Sequence, residues 1–174
     1  MKITGGSFKS RDIAQPSAET TRPMTGKATE AIFNMLGDMR GLSVLDLYAG
    51  SGVLGIESVS RGASSVIAVE RDRQAARVIQ DNYDKLGISE VLRIETQPVP
   101  LWLATNTMTF DIVFADPPFA EFDETAFIEA SKKAGNVYVV RHGKRQTLPS
   151  VPGMDLRRHR QYGNSLLALY TPQN

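Results

Sequence analysis

Five short apolar runs alternate with four stretches of helical period between residues 43 and 141, and this alternation limits the folds open to the chain. The runs at 43–48, 65–70, 91–95, 110–115 and 136–141 read as strands. The stretches near 53–61, 72–86, 98–104 and 123–134 read as helices. Strand–helix repetition of this kind predicts a Rossmann-like, doubly wound, mostly parallel α/β sheet with helices on both faces. The tail departs from it. Leu156 to Arg160 and Leu166 to Tyr170 flank the turn signal Tyr162-Gly163-Asn164, so a C-terminal antiparallel hairpin is expected.

Upstream, Ala28, Ala31, Ile32, Met35 and Leu36 share a helical face, in a segment that opens at Thr25 and closes at Gly37. Residues 1–14 alternate loosely around Gly5-Gly6 and read as a small hairpin or arm, followed by loop over 15–23. The expected organisation is a basic arm over 1–23 ahead of one domain over 24–174.

The longest apolar stretches are too short to span a bilayer, and Met1 to Gly6 contain no apolar signal core. There are no cysteines, hence no disulfide and no thiolate zinc site. Nor is there any other metal-ligand cluster in the sequence, so no metal is expected. A cytoplasmic location fits these features. No long apolar patch demands a dimer, so a monomer is expected. Net charge is only +1, but its distribution is uneven. Residues 1–11 hold Lys2, Lys9 and Arg11 with no acid. Residues 141–160 hold Arg141, Lys144, Arg145, Arg157, Arg158 and Arg160 against Asp155 alone. Such runs are either solvated faces or a local footprint for phosphates. His142 and His159 stand isolated within the second run and read as surface residues.

The first strand leads into Asp46-Leu47-Tyr48-Ala49-Gly50-Ser51-Gly52. Gly50 and Gly52 permit close backbone approach, and the following helix offers free N–H groups. Glu70 ends the second strand about twenty residues on, where a doubly wound fold places the carboxylate for ribose hydroxyls. A carboxylate at Asp46, inside the strand, would repel a pyrophosphate. A ligand with a cationic amino-acid tail, such as S-adenosylmethionine, would be held by it. The alternative is that Asp46 caps the helix.

Asp116-Pro117-Pro118-Phe119 follows the fourth strand, which the two prolines must stop. The carboxylate of Asp116 and the carbonyl of Pro117 can accept from an exocyclic amine, and Phe119 can stack on its ring. An ordinary strand exit closed by a proline brake is the plainer reading.

The D-x-x-A-G-S-G loop, Glu70 and D-P-P-F together resemble a class I, S-adenosylmethionine-dependent amino-methyltransferase. Ile3-Thr4-Gly5-Gly6 through Arg11 resembles the bacterial RsmD-type family more narrowly. So do Arg22-Pro23-Met24-Thr25 with Glu30-Ala31-Ile32-Phe33-Asn34, and Tyr162-Gly163-Asn164-Ser165. The likeness runs over essentially the whole chain. It implies methyl transfer from S-adenosylmethionine to the exocyclic N2 of a guanine in 16S rRNA, the guanine-966 site in the family's nomenclature. The partner would be the small ribosomal subunit or its assembly intermediate. It implies a cofactor site at Asp46, the loop Tyr48 to Gly52, Glu70 and Arg71. Gln97 stands in for the acid or amide that such enzymes place near the adenine after the third strand. Asp116, Pro117 and Phe119 would carry the chemistry, and Lys9, Arg11 and Arg22 the RNA backbone contacts. Arg22 could equally pair with Glu30. Two other readings stay open: a different amine acceptor (adenine N6 or protein glutamine), and a non-catalytic RNA-binding assembly protein.

Overall fold

The computed structural model describes residues 1–17 and 24–173. The helices are α1 (Gly26–Leu36), α2 (Val53–Ser60), α3 (Arg73–Leu86), α4 (Val99–Thr105) and α5 (Glu124–Ser131). The strands are β1 (Ser43–Leu47), β2 (Ser65–Glu70), β3 (Leu92–Thr96), β4 (Phe110–Ala115), β5 (Ala134–Gly143), β6 (Met154–Tyr162) and β7 (Ser165–Pro172). They form one sheet in the order β3-β2-β1-β4-β5-β7-β6. The pairs from β3 through β5 are parallel, while β7 runs antiparallel to both β5 and β6. The doubly wound expectation is met, and so is the hairpin. The hairpin folds back so that its second strand, β7, inserts beside β5 and leaves β6 at the edge.

Local chemistry explains the elements. In α3, Ala75, Ala76, Ile79, Tyr83 and Leu86 are buried at helical spacing against the sheet. Asp72 caps its start by accepting from the Ala75 N–H at 2.7 Å, and Gly87 closes it in a left-handed conformation. One face of the sheet carries Phe33 against Phe114, ring centroids 5.9 Å apart, among Ile56, Ile79, Val139 and Leu167. The other packs Trp102, Phe110, Phe127, Tyr138 and Tyr170. Each large apolar side chain so buried contributes about 1.5–3 kcal/mol.

The N-terminal segment closes on itself through the Lys2–Asp12 bridge and is fastened to the body. Ser7 N–H donates to Ser60 O at 2.7 Å, Phe8 N–H to Ser60 Oγ at 2.9 Å and Ala14 N–H to Asn82 Oδ1 at 2.8 Å. Ile3 and Ile13 enter the same core as α1. A Cβ on Gly6 would lie 1.8 Å from Ser60 O, so this seam requires glycine.

Candidate active site

The order of the parallel strands reverses between β1 and β4, and their carboxyl ends open a cavity of about 690 Å³ at that switch point. The loop after β1, the end of β2, the segment after β4 and the end of β5 all reach it. Tyr48, Ala49, Gly50, Ser51, Glu70 and Arg71 line the cavity, as do Asp46, Asp116, Pro117 and Phe119. Among the expected cofactor residues, Gly52 and Gln97 do not.

The loop is held by its own carboxylates. Glu70 accepts from the Gly50 N–H through Oε2 at 2.8 Å and from the Asp72 N–H through Oε1 at 2.9 Å. Glu70 therefore ties the loop after β1 to the end of β2. Asp46 is almost fully buried, and its Oδ2 accepts from the Gly55 N–H in the first turn of α2 at 3.0 Å. Asp46 thus anchors the first turn of α2 and also borders the cavity. Burial raises its pKa from 3.8 to about 8; the Gly55 N–H opposes the rise, and Asp116 and Glu70 add to it. A cation entering the cavity would restore the charged form.

Gly52 caps α2 at φ +72 and belongs to the packing rather than the cavity wall. A Cβ there would come within 3.0 Å of Ile79 and 3.2 Å of the Tyr83 hydroxyl. Gln97 lies in the turn after β3, its N–H donating to Glu95 O at 3.2 Å. The chain reaches the cavity one residue later, through Pro98, Val99 and Pro100.

Sequence reasoning missed three contributors. The first is Arg141, grouped with the basic tail. The parallel register pairs Ala115 with Val140, so Asp116 and Arg141 emerge side by side from neighbouring strands. Arg141 Nε donates to Asp116 Oδ1 at 2.5 Å, with the two side chains only 11% and 16% exposed. Its guanidinium also stands 5.5 Å from the Phe119 ring centroid. Burial pushes the Asp116 pKa up, and the Arg141 charge and hydrogen bond pull against it. An arginine directly after the apolar run Val137 to Val140 was the available signal. The second is Gln146, whose Nε2 donates to Phe119 O at 2.6 Å while its Oε1 accepts from Gly143 N–H at 2.7 Å. It clamps the D-P-P-F turn to the end of β5. The third is Gln15, which lines the cavity with a buried Nε2 that has no hydrogen-bond partner among the described residues. Nothing in local sequence pattern marks it.

His142 departs from the surface reading, while His159 stays exposed on the edge strand β6. His142 is 1% exposed, and its Nε2 lies 2.8 Å from His159 Nε2, with the rings stacked at 5.1 Å. The cause is the hairpin, which lays β6 two strands from β5 and folds His159 over β7. Burial, with His159 beside it, lowers the His142 pKa. Lys9 and Arg11 are exposed on the N-terminal segment, and the Arg11 guanidinium sits 5.3 Å from the Phe8 ring centroid. Arg22 lies outside the described residues. Among the described residues no three histidines or carboxylates gather as a metal site would require.

The cavity fits S-adenosylmethionine on its own chemistry. The Asp46 carboxylate on its wall fits a cationic amino-acid tail, and the Glu70 carboxylate fits hydroxyl donors. Val53, Leu54 and Val99 give an apolar wall, and the orphaned Gln15 amide supplies an unused donor. Residues 1–171 match the model of a family described as Conserved hypothetical protein 95. YlbH of Bacillus subtilis (strain 168), provisionally named an rRNA methyltransferase, is 33% identical over 184 residues, covering 98% of each chain. The ribosomal RNA small subunit methyltransferase D of Escherichia coli (strain K12) is 32% identical over 120 residues, 68% of this chain and 60% of that one. The solved structure of yhhF from Escherichia coli, provisionally described as a methyltransferase, superposes with TM-score 0.88 at 28% identity, covering 99% of this chain and 98% of that one. The chain belongs to the Conserved hypothetical protein 95 family, the RsmD-type class I methyltransferases, whose cofactor is S-adenosylmethionine.

Proposed function

We propose that the protein methylates small-subunit ribosomal RNA, and that its acceptor is the exocyclic N2 of a guanine. The relatives' names support the RNA, and the chemistry of the Asp116 turn supports the amine. The observation that carries the reading is the Asp116–Arg141 pair. Arg141 takes Oδ1 and leaves Oδ2 without a hydrogen bond among the described residues, at the cavity wall.

A guanine N2 lone pair is delocalised into the ring, so the amine is a poor nucleophile. Bonds from its N–H groups to Asp116 Oδ2 and to Pro117 O would draw the nitrogen towards tetrahedral geometry. They would also stabilise its developing positive charge. Only the ionised carboxylate accepts without donating, and Arg141 favours that form. The same oxygen would take the proton the nitrogen sheds as the sulfonium–methyl bond breaks. Phe119, clamped by Gln146, would stack on the base for about 1–3 kcal/mol. The base must be unpaired or extruded, because pairing hides N2. Bound S-adenosylmethionine supplies a methyl carbon made electrophilic by its sulfonium. Much of the acceleration then comes from alignment. Lys9 and Arg11, with Arg22, are assigned to the RNA backbone, as parts of a basic arm over residues 1–23.

The test incubates the protein with methyl-labelled S-adenosylmethionine and either naked 16S rRNA or small subunits lacking the modification, then maps the label. Label on a guanine N2 supports the proposal, and label on adenine N6 or on protein replaces it.

A further inference from the structure

The basic run 141–160 is only partly absorbed by the site, since Arg141 turns inward while the rest stays outside. The sheet register orders what remains. Arg141 on β5 pairs with Leu167 on β7, and Leu167 pairs with Arg160 on β6. One row out, Val139 pairs with Leu169 and Leu169 with Arg158. Val139, Leu167 and Leu169 all belong to the core on the α1 face, and Tyr162, two residues past Arg160, packs against that core. Side chains alternate along a strand, so Arg158, Arg160 and Arg141 share this face. Strands lie about 4.8 Å apart, which puts Arg160 about 10 Å from Arg141 and Arg158 about 7 Å further along the edge.

These two arginines are unlike their neighbour. Arg157 pairs with Asp155 at 3.5 Å and donates to Thr171 Oγ1 at 2.9 Å. Arg158 and Arg160 are exposed, with no side-chain hydrogen bond or ion pair among the described residues. The turn between β5 and β6 adds Lys144 and Arg145, also exposed, immediately before the Gln146 that clamps Phe119.

We propose that Arg158 and Arg160, with Arg145, form a phosphate track that receives the RNA strand flanking the target base and leads it to the Asp116 cavity. The proposal rests on the rRNA reading above and gives it a path on the surface. Charge complementarity selects the occupant. A row of unpaired guanidiniums beside a pocket for a flipped base fits a polyanion whose phosphates and bases must be held together. An acidic ribosomal protein offers carboxylates but no base for the pocket. The competing structural account is that arginines on an edge strand only discourage edge-to-edge pairing.

The test measures methyl transfer to naked 16S rRNA and to unmodified small subunits across a salt series, for the wild type, Arg158→Gln/Arg160→Gln and a charge-matched control, Arg93→Gln/Lys132→Gln. The track variant is expected to raise KM for naked RNA roughly tenfold and to flatten the log–log salt dependence by about 1 per arginine removed. Its kcat at saturating RNA, its melting temperature and its affinity for S-adenosylmethionine should hold, and the control should match the wild type. An unchanged KM and salt slope in a variant that self-associates would make the arginines edge guards and overturn the track while leaving the rRNA reading intact. A defect confined to assembled subunits would assign them to a ribosomal protein and also overturn it. Failure of the wild type to methylate either RNA would overturn the rRNA reading itself.

Discussion

Arg141 Nε and Asp116 Oδ1 lie 2.5 Å apart, joining the ends of two neighbouring parallel strands where the carboxylate meets the cavity. Removing one partner of a buried pair leaves the other charge uncompensated, at a cost of about 3–5 kcal/mol. The pair therefore sets the ionisation of Asp116 as well as its aim.

That dependence has a sign. Burial already raises the Asp116 pKa, and Arg141 restrains it. In Arg141→Gln the restraint is gone and the pKa climbs further, so transfer should fail at a higher pH than in the wild type. The acid limb of the kcat–pH profile moves to higher pH, and Arg141→Lys restores part of the shift. A uniform loss at every pH would mean that Arg141 is only structural.

Asp46 predicts a stability effect of opposite direction to the usual carboxylate. Its pKa is raised from 3.8 to about 8 in the folded protein. The native state thus binds the extra proton between those values, and stability falls as pH rises through that window. Asp46→Asn keeps an acceptor for the Gly55 N–H and carries no charge. Without ligand, its melting temperature relative to the wild type should rise from pH 4 to pH 8. A difference independent of pH would refute the buried, proton-binding state.

Gln15 carries a donor on the cavity wall that has no partner among the described residues. Gln15→Leu removes that donor, so thermal stability should be unchanged or higher. Affinity for S-adenosylmethionine should drop several-fold, as loss of one hydrogen bond of about 1 kcal/mol implies. Titration calorimetry decides, and unchanged affinity would remove Gln15 from the cofactor site.

Gly52 holds φ +72 with Ile79 3.0 Å from a would-be Cβ. Gly52→Ala should destabilise by about 1–3 kcal/mol in denaturant unfolding. Stability within error of the wild type would show that the turn relaxes freely.

Much of this was legible in the sequence because period and punctuation carry it. Alternating apolar runs gave the parallel sheet, and helical period placed α3 near 72–86. Glycine spacing and the Asp116 turn located the cavity. What escaped depended on which strand lies beside which. Arg141 looked like one more basic residue until β5 was set against β4. His142 looked solvated until the C-terminal hairpin was folded against β5. Gln15 acts at a distance along the chain that no local pattern spans, and Gln97 missed the cavity wall by one residue.

The central claim is that Asp116 receives the amine. The most direct measurement is transfer of labelled methyl to unmodified small subunits by the wild type and by Asp116→Ala, with the label mapped and S-adenosylmethionine affinity measured alongside. The account predicts label on a guanine N2 in the wild type and a loss of about 10²–10³ in kcat for the variant, with cofactor binding retained. Undiminished transfer by Asp116→Ala would contradict it.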